Sequence, residues 1–212
     1  ALTDIIRDDL VSKGVDCHRI DVIPNGVELP EKSADVSSNR DVLYVGNFSQ
    51  GHVKAFDVLL DAWRRVHAQV SDVKLILVGG GDSRVWREYA RNAGLSSSVV
   101  FRGAVPDPAE YYQRAAVFLL PSRREGISNA LLEAQSWGVP AVVTDIPGNI
   151  VVIKSGSNGL VVPVDDSRAL AEATVLLCKD AAQRVRMGRN ARRRAESMFS
   201  MDQVVDRMLV CY

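Results

Sequence analysis

Short apolar segments alternate along the chain with segments of helical periodicity. The apolar segments contain few polar positions, which is typical of strands covered on both faces. Predicted strands span residues 20–23, 42–45, 75–78, 99–101, 117–120, 141–143 and 159–162. Predicted helices span residues 5–13, 56–70, 85–93, 108–114, 129–137, 167–178, 181–198 and 201–211. This alternation predicts right-handed βαβ units on a doubly wound parallel sheet, a Rossmann-like α/β fold with a helical C-terminal tail.

Composition argues against several classes of protein but does not identify a function. The 212 residues contain 26 Lys plus Arg and 26 Asp plus Glu, a balance that gives no support for nucleic-acid binding. Cys17, Cys178 and Cys211 are far apart, so we expect neither a disulfide framework nor a metal site. These features favour a reducing compartment, and we expect a cytoplasmic protein. No apolar run approaches the ~20 residues of a membrane span.

The predicted architecture restricts where a ligand can bind. In an open parallel sheet, ligands bind beyond the carboxyl ends of the strands. Four loops lie there, at residues 46–54, 79–82, 102–106 and 122–129. The triple glycine at 79–81 lacks the spacing of a dinucleotide fingerprint, so we assign it to a tight turn.

The strongest chemical signal lies in residues 119–134, where a strand leads through a polar loop into a helix. Ser128 or Asn129 suits the N-cap, and the free amides of the first turn favour an anion such as a diphosphate. Gly126 allows close approach of the ligand to the backbone. Glu133 lies one turn inside the helix, where a carboxylate can accept hydrogen bonds from a ribose diol. Glu125 precedes the helix and can reach a hydroxyl-rich group. The alternative is that both glutamates are ordinary solvated residues.

Two further features have weaker interpretations. Gly46 and Asn47 end a predicted strand, and Lys54 follows as a candidate counter-charge for phosphate. Six arginines between Arg184 and Arg194 are predicted to form the solvent-facing side of an amphipathic helix, with a membrane or nucleic-acid surface as the lesser alternative.

Taken in order, several segments resemble the C-terminal domain of group 1 glycosyltransferases, the retaining GT-B enzymes of family 4. The matching segments span residues 22–27, 43–46, 54–57, 75–79, 100–103, 125–133, 138–142, 158–159, 187–188 and 191–192. Each is weak alone, but their order and spacing extend over most of the chain.

The resemblance implies a function and a role for each candidate residue. The chain would bind a UDP- or GDP-hexose for transfer with retention, without a metal or other cofactor. Glu125 would be the catalytic residue contacting the transferred sugar, and Glu133 would bind the ribose. The diphosphate and the base would contact the remaining candidates, which are Gly46, Asn47, Lys54, Arg102, Gly103, Gly126, Ile127, Ser128 and Asn129. A glycan, lipid or small-molecule acceptor would bind to an N-terminal domain, and peripheral association with the inner face of a membrane stays open.

The resemblance also implies a domain organisation and leaves alternatives. Residues 1–14 would be the last helix of an N-terminal domain, 15–198 the nucleotide-sugar domain, and 199–212 a tail helix crossing back. Two departures matter, since the family usually has Arg at Asn47 and often Glu at Val151. The alternatives are a GT-B nucleotide-sugar epimerase and a non-catalytic nucleotide-sugar-binding or interaction module.

Overall fold

The sheet has the doubly wound topology that the sequence predicts. The computed structural model describes residues 1–210. Its strands are β1 (Asp41–Val45), β2 (Leu75–Val78), β3 (Val99–Gly103), β4 (Ala115–Leu120), β5 (Ala141–Thr144) and β6 (Gly159–Val162). They form one six-stranded parallel sheet in the order β3-β2-β1-β4-β5-β6. The winding direction reverses between β1 and β4, so the ligand crevice of such a sheet lies beyond these two strands.

Helices connect the strands and continue after β6. They are α1 (Asp4–Ser12), α2 (Phe56–His67), α3 (Arg84–Asn92), α4 (Ala109–Arg114), α5 (Asn129–Ser136), α6 (Pro147–Val152), α7 (Ser167–Lys179), α8 (Ala181–Arg194) and α9 (Met201–Val210). A π-helical turn, Ala195–Phe199, follows α8 directly. The predicted last helix ends at Cys211, which lies outside the described residues. Within residues 1–210, no helix combines the length and the apolar character needed to cross a bilayer.

The core lies between the sheet and the helices on both of its faces. All six residues of β4 are buried, as expected for a central strand of a parallel sheet. Helix α2 contributes the apolar stripe that includes Leu59, Trp63 and Val66, all at most 1% exposed. The indole of Trp63 donates a hydrogen bond to the Ser98 hydroxyl over 3.1 Å, so its polar atom is satisfied inside the core.

The prediction of a strand at residues 20–23 is wrong. This segment joins no sheet, and the Ile23 amide donates to the carbonyl of Ala1. The next residue, Pro24, has no amide hydrogen to donate to a ladder. The sequence prediction also missed α6, which begins with Pro147 at its first position, a placement that proline favours. Val152 and Ile153 around its end are buried, so the apolar segment there belongs mostly to the core.

The prediction that the arginines of α8 form a solvent-facing side holds only for Arg186, Arg189 and Arg193, which are exposed. Arg184 is only 2% exposed, and its guanidinium donates to four backbone carbonyls. These belong to Val36, Ser37, Leu177 and Cys178. Arg184 thereby satisfies the last carbonyls of α7 and fastens the segment before β1 to the α7–α8 corner.

Candidate functional site

Glu125 lies in a largely buried ion pair at the end of β4. The Lys54 ammonium is 2.5 Å from Oε1 of Glu125, and the Ser122 hydroxyl donates to the same oxygen over 2.8 Å. The side chains of Lys54 and Glu125 are only 15% and 11% exposed. The sequence predicted both residues for this site but not their pairing. Lys54, which was predicted to bind a phosphate, is therefore paired here with Glu125, the predicted catalytic residue.

Arg123 fastens the β1–α2 loop to the β4–α5 loop. Its guanidinium makes two hydrogen bonds to the Asp57 carboxylate, at 2.7 and 3.1 Å, and one to Asp165 at 2.7 Å. It also donates to the carbonyl of His52, and its own amide donates to the carbonyl of Val53. The loop that carries Lys54 and the loop that carries Glu125 are therefore held in a fixed relation.

The start of α5 presents unpaired backbone amides. Ser128 is the N-cap, and its hydroxyl accepts a hydrogen bond from the Leu131 amide. Within residues 1–210, the amides of Asn129 and Ala130 donate to no protein acceptor. Asn25 approaches the same turn and donates to the Ile127 carbonyl and the Asn129 side chain, at 3.0 and 2.9 Å. This turn can bind an anion through free amides and the positive end of the helix.

Glu133 faces a cleft of about 420 Å³ beside α5. Tyr112 also lines the cleft, and its hydroxyl donates to Oε2 of Glu133 over 2.7 Å. Burial raises the pKa of the Glu133 carboxyl, while the Tyr112 hydrogen bond opposes that rise. Burial and the nearby Glu133 charge raise the pKa of Tyr112 well above its usual value, so the phenol stays a donor. The cleft can accommodate a hydroxyl-bearing group next to an acceptor oxygen.

Glycines allow close backbone approaches around the crevice. A Cβ atom at Gly79 would overlap the carbonyl oxygen of Gly46, and one at Gly148 would overlap the carbonyl oxygen of Gly126. The triple glycine therefore lets the β2–α3 turn pack against the β1–α2 loop, which agrees with its assignment to a tight turn. The first turn of α6 packs in the same way against the loop that carries Glu125.

Three further candidates from the sequence show no direct contact with this arrangement. The Asn47 side chain accepts a hydrogen bond from the Ser49 amide and caps a short 3₁₀ turn. Arg102 is exposed, and within the described chain its side chain makes no hydrogen bond or ion pair. Gly103 has φ of +76° at the end of β3, and its carbonyl accepts from the Gly79 amide.

One small group of side chains that could hold a metal ion lies elsewhere in the described part of the chain. The ligand atoms of Asp16, Cys17 and His18 lie within 4.8 Å of one another. All three residues are exposed, with Asp16 as the N-cap of the 3₁₀ turn Cys17–Arg19 that follows α1. They belong to neither of the loops that form the candidate site.

Comparison with known proteins assigns the chain to a family. The family model described as "Glycosyl transferases group 1" matches residues 39–180. The chain belongs to the group 1 glycosyltransferases. The matched residues include the sheet from β1 to β6, the Lys54–Glu125 pair and the start of α5.

Individual group 1 relatives match over most of this chain. It is 29% identical over 192 residues to the capsular polysaccharide biosynthesis glycosyltransferase CapM of Staphylococcus aureus, covering 89% of this chain and 50% of CapM. It is 32% identical to the D-inositol 3-phosphate glycosyltransferase of Gordonia bronchialis, covering 100% of this chain and 51% of that protein. The chain thus spans about half the length of the curated relatives it matches. Among solved structures, Anabaena HepE in complex with UDP superposes with a TM-score of 0.89 at 20% identity, covering 100% of this chain and 62% of HepE. This likeness shows the fold.

Sequence reasoning missed four residues that shape this candidate site. They are Asn25, Tyr112, Ser122 and Arg123, each of which holds a predicted residue or its loop by a hydrogen bond. Ser122 and Arg123 lie inside the segment singled out, but their partners are distant in sequence. Tyr112 and Asn25 have no local signal, because 21 and 104 residues separate them from Glu133 and Asn129.

Proposed function

We propose that this domain binds the diphosphate of a nucleotide sugar at the first turn of α5, for sugar transfer with retention of configuration. The observation that carries the proposal is the pair of free amides at Asn129 and Ala130, bracketed by Glu125 and Glu133. Amides at a helix start favour a diphosphate, and the two carboxylates provide acceptors for hydroxyls on either side of it. A site for a bare phosphate would need neither acceptor.

In this proposal each charged group has a separate task. Glu133 accepts hydrogen bonds from the ribose, and Glu125 contacts the transferred sugar. Lys54 turns from Glu125 to the diphosphate when the donor enters. When the bond between the sugar and the diphosphate breaks, negative charge grows on the departing phosphate, and fixed amide dipoles stabilise it. The site as proposed uses no metal.

For the nucleotide base and the acceptor we propose a chemical class only. HepE was solved with UDP, which supports UDP as the first probe for this chain, and GDP is the second nucleotide that we propose to test. CapM and the Gordonia bronchialis enzyme are about twice as long as the segment that this chain matches. We therefore propose that the acceptor, a glycan, lipid or small molecule, binds to a further domain facing this crevice.

Calorimetric titration tests the proposal with UDP, GDP and their hexose conjugates at millimolar concentration. We expect binding that Glu133→Ala weakens strongly and that Glu172→Ala leaves unchanged. Glu172 is the matched control because its side chain is 63% exposed on α7 and pairs only with Arg168 in the described chain. Absence of binding by every nucleotide, or equal binding by both variants, would rule out the proposed site.

A further inference from the structure

The Glu133 carboxylate has two oxygens in different surroundings. Oε2 accepts the hydrogen bond from the Tyr112 hydroxyl at 2.7 Å. Within residues 1–210, Oε1 accepts no hydrogen bond, yet it is not among the buried polar atoms that lack a partner. Since Glu133 lines the 420 Å³ cleft, Oε1 is the oxygen that solvent or a ligand can reach.

Tyr112 lies in α4, where packing holds its hydroxyl in place as a hydrogen-bond donor. Its side chain is 1% exposed and its ring packs against Phe118 with centroids 6.1 Å apart. The same hydroxyl lies 3.2 Å from the Ala130 carbonyl, a longer contact than the one to Glu133. A phenol has one proton to donate, and the shorter contact to a charged acceptor is the stronger hydrogen bond.

The other charged side chains around Glu133 are acidic, so the ionised form of Glu133 depends on the Tyr112 hydrogen bond. The other ionisable groups that line the cleft are Glu28 and Asp107, and both are acidic. In the described chain no lysine or arginine forms an ion pair with Glu133. The Tyr112 hydroxyl is therefore the side-chain donor that favours the ionised carboxylate against burial and against Asp107.

We propose that Tyr112 is a positioning residue of the donor site, which fixes Oε2 of Glu133 and so presents Oε1, ionised, to the ribose hydroxyls. This inference rests on the proposed function, because it assumes that Glu133 binds the ribose. Tyr112 itself does not contact the nucleotide. It acts through the orientation and the ionisation of Glu133.

The test compares Tyr112→Phe with Tyr111→Phe across a pH series. Tyr111 is the neighbouring half-buried tyrosine, and its hydroxyl makes no hydrogen bond within residues 1–210. The affinity for UDP or GDP, whichever the parent binds, is measured by calorimetry from acidic to neutral pH. Far-UV circular dichroism and the melting temperature confirm that each variant is folded.

We expect Tyr112→Phe to weaken binding at neutral pH about fivefold, the equivalent of one net hydrogen bond. Binding requires the ionised Glu133, so affinity falls as pH falls through its raised pKa. Loss of the Tyr112 donor raises that pKa further, and the fall should begin at higher pH in Tyr112→Phe. Tyr111→Phe should follow the parent at every pH.

A ligand with one hydroxyl removed separates positioning from a general structural effect. The 2′-deoxynucleoside diphosphate should bind the parent more weakly than the ribonucleotide, and the penalty should shrink in Tyr112→Phe. An unchanged pH profile together with an unchanged deoxy penalty would overturn the inference, even if affinity falls. If Glu133→Gln weakens binding while Tyr112→Phe matches the parent, the inference fails and the proposed function stands. If the parent binds no nucleotide, both fail.

Discussion

Replacing Lys54 by methionine removes the cation from Glu125 but keeps a side chain of similar length. Breaking a fully buried ion pair by removing one partner costs ~3–5 kcal/mol, because the remaining charge stays desolvated. Lys54 and Glu125 retain 15% and 11% exposure, and Ser122 still donates to Glu125. We therefore expect Lys54→Met to lower the free energy of unfolding by about 2–3 kcal/mol at neutral pH.

The double variant Lys54→Met/Glu125→Gln shows whether this cost comes from the stranded charge. Removing both charges should cost about 1 kcal/mol or less, so the double variant should be more stable than Lys54→Met alone. Urea unfolding measures each value, with an unchanged m-value as the sign that only stability changed. The exposed pair Arg168–Glu172, with side chains 79% and 63% exposed, is the control. Its coupling should stay below ~0.5 kcal/mol. Additive effects of Lys54→Met and Glu125→Gln would refute the pairing.

Three further substitutions test the buried Arg184, the glycine contact beside the Glu125 loop and the ionisation of Glu133. Arg184→Met leaves four carbonyls without their donor and should lower the free energy of unfolding in urea by ~3–5 kcal/mol. Arg186→Met, at an exposed arginine of the same helix, should change it by no more than ~0.5 kcal/mol. Equal effects of the two substitutions would contradict the buried position of Arg184. Gly148→Ala places a Cβ against the Gly126 carbonyl, so calorimetry should show that nucleotide binding is lost. Gly80→Ala places its Cβ 3.7 Å from that of Ala104, an ordinary contact, and should bind normally. Burial raises the pKa of Glu133, so the folded state holds that proton more tightly than the unfolded state. The stability that this group contributes therefore falls as pH rises above its unfolded pKa of about 4, so Glu133→Gln should gain stability relative to the parent over that rise. A difference that does not change with pH would contradict this.

The fold could be predicted because its strands are covered on both faces. The bounds predicted for β2 and β6 match the structure to the residue, since an apolar run between turn residues has little freedom in where it ends. The segment at 20–23 is apolar except for Asp21, but it has no neighbouring strand to pair with. Sequence shows the composition of a strand, while strand formation needs a partner that only the tertiary structure supplies.

The candidate site could be predicted only where its signal is local. Glu125, Ser128 and Glu133 lie within nine residues of one another, so the spacing of a loop and a helix start identified them together. The contact between Lys54 and Glu125 joins residues 71 positions apart, and the Arg184 bond to Val36 spans 148. An arginine on a helix is usually exposed, and only the fold shows that α8 places Arg184 against unpaired carbonyls.

The most direct test of the central claim observes the backbone amides at the start of α5. In a titration of isotope-labelled protein with UDP or GDP, followed by amide NMR, we expect the largest shifts at Asn129 and Ala130. Lys54 and Glu133 should report the same dissociation constant. If the shifts instead centred on the exposed arginines of α8, or if these amides did not respond at millimolar nucleotide, the helix start would not be the diphosphate site.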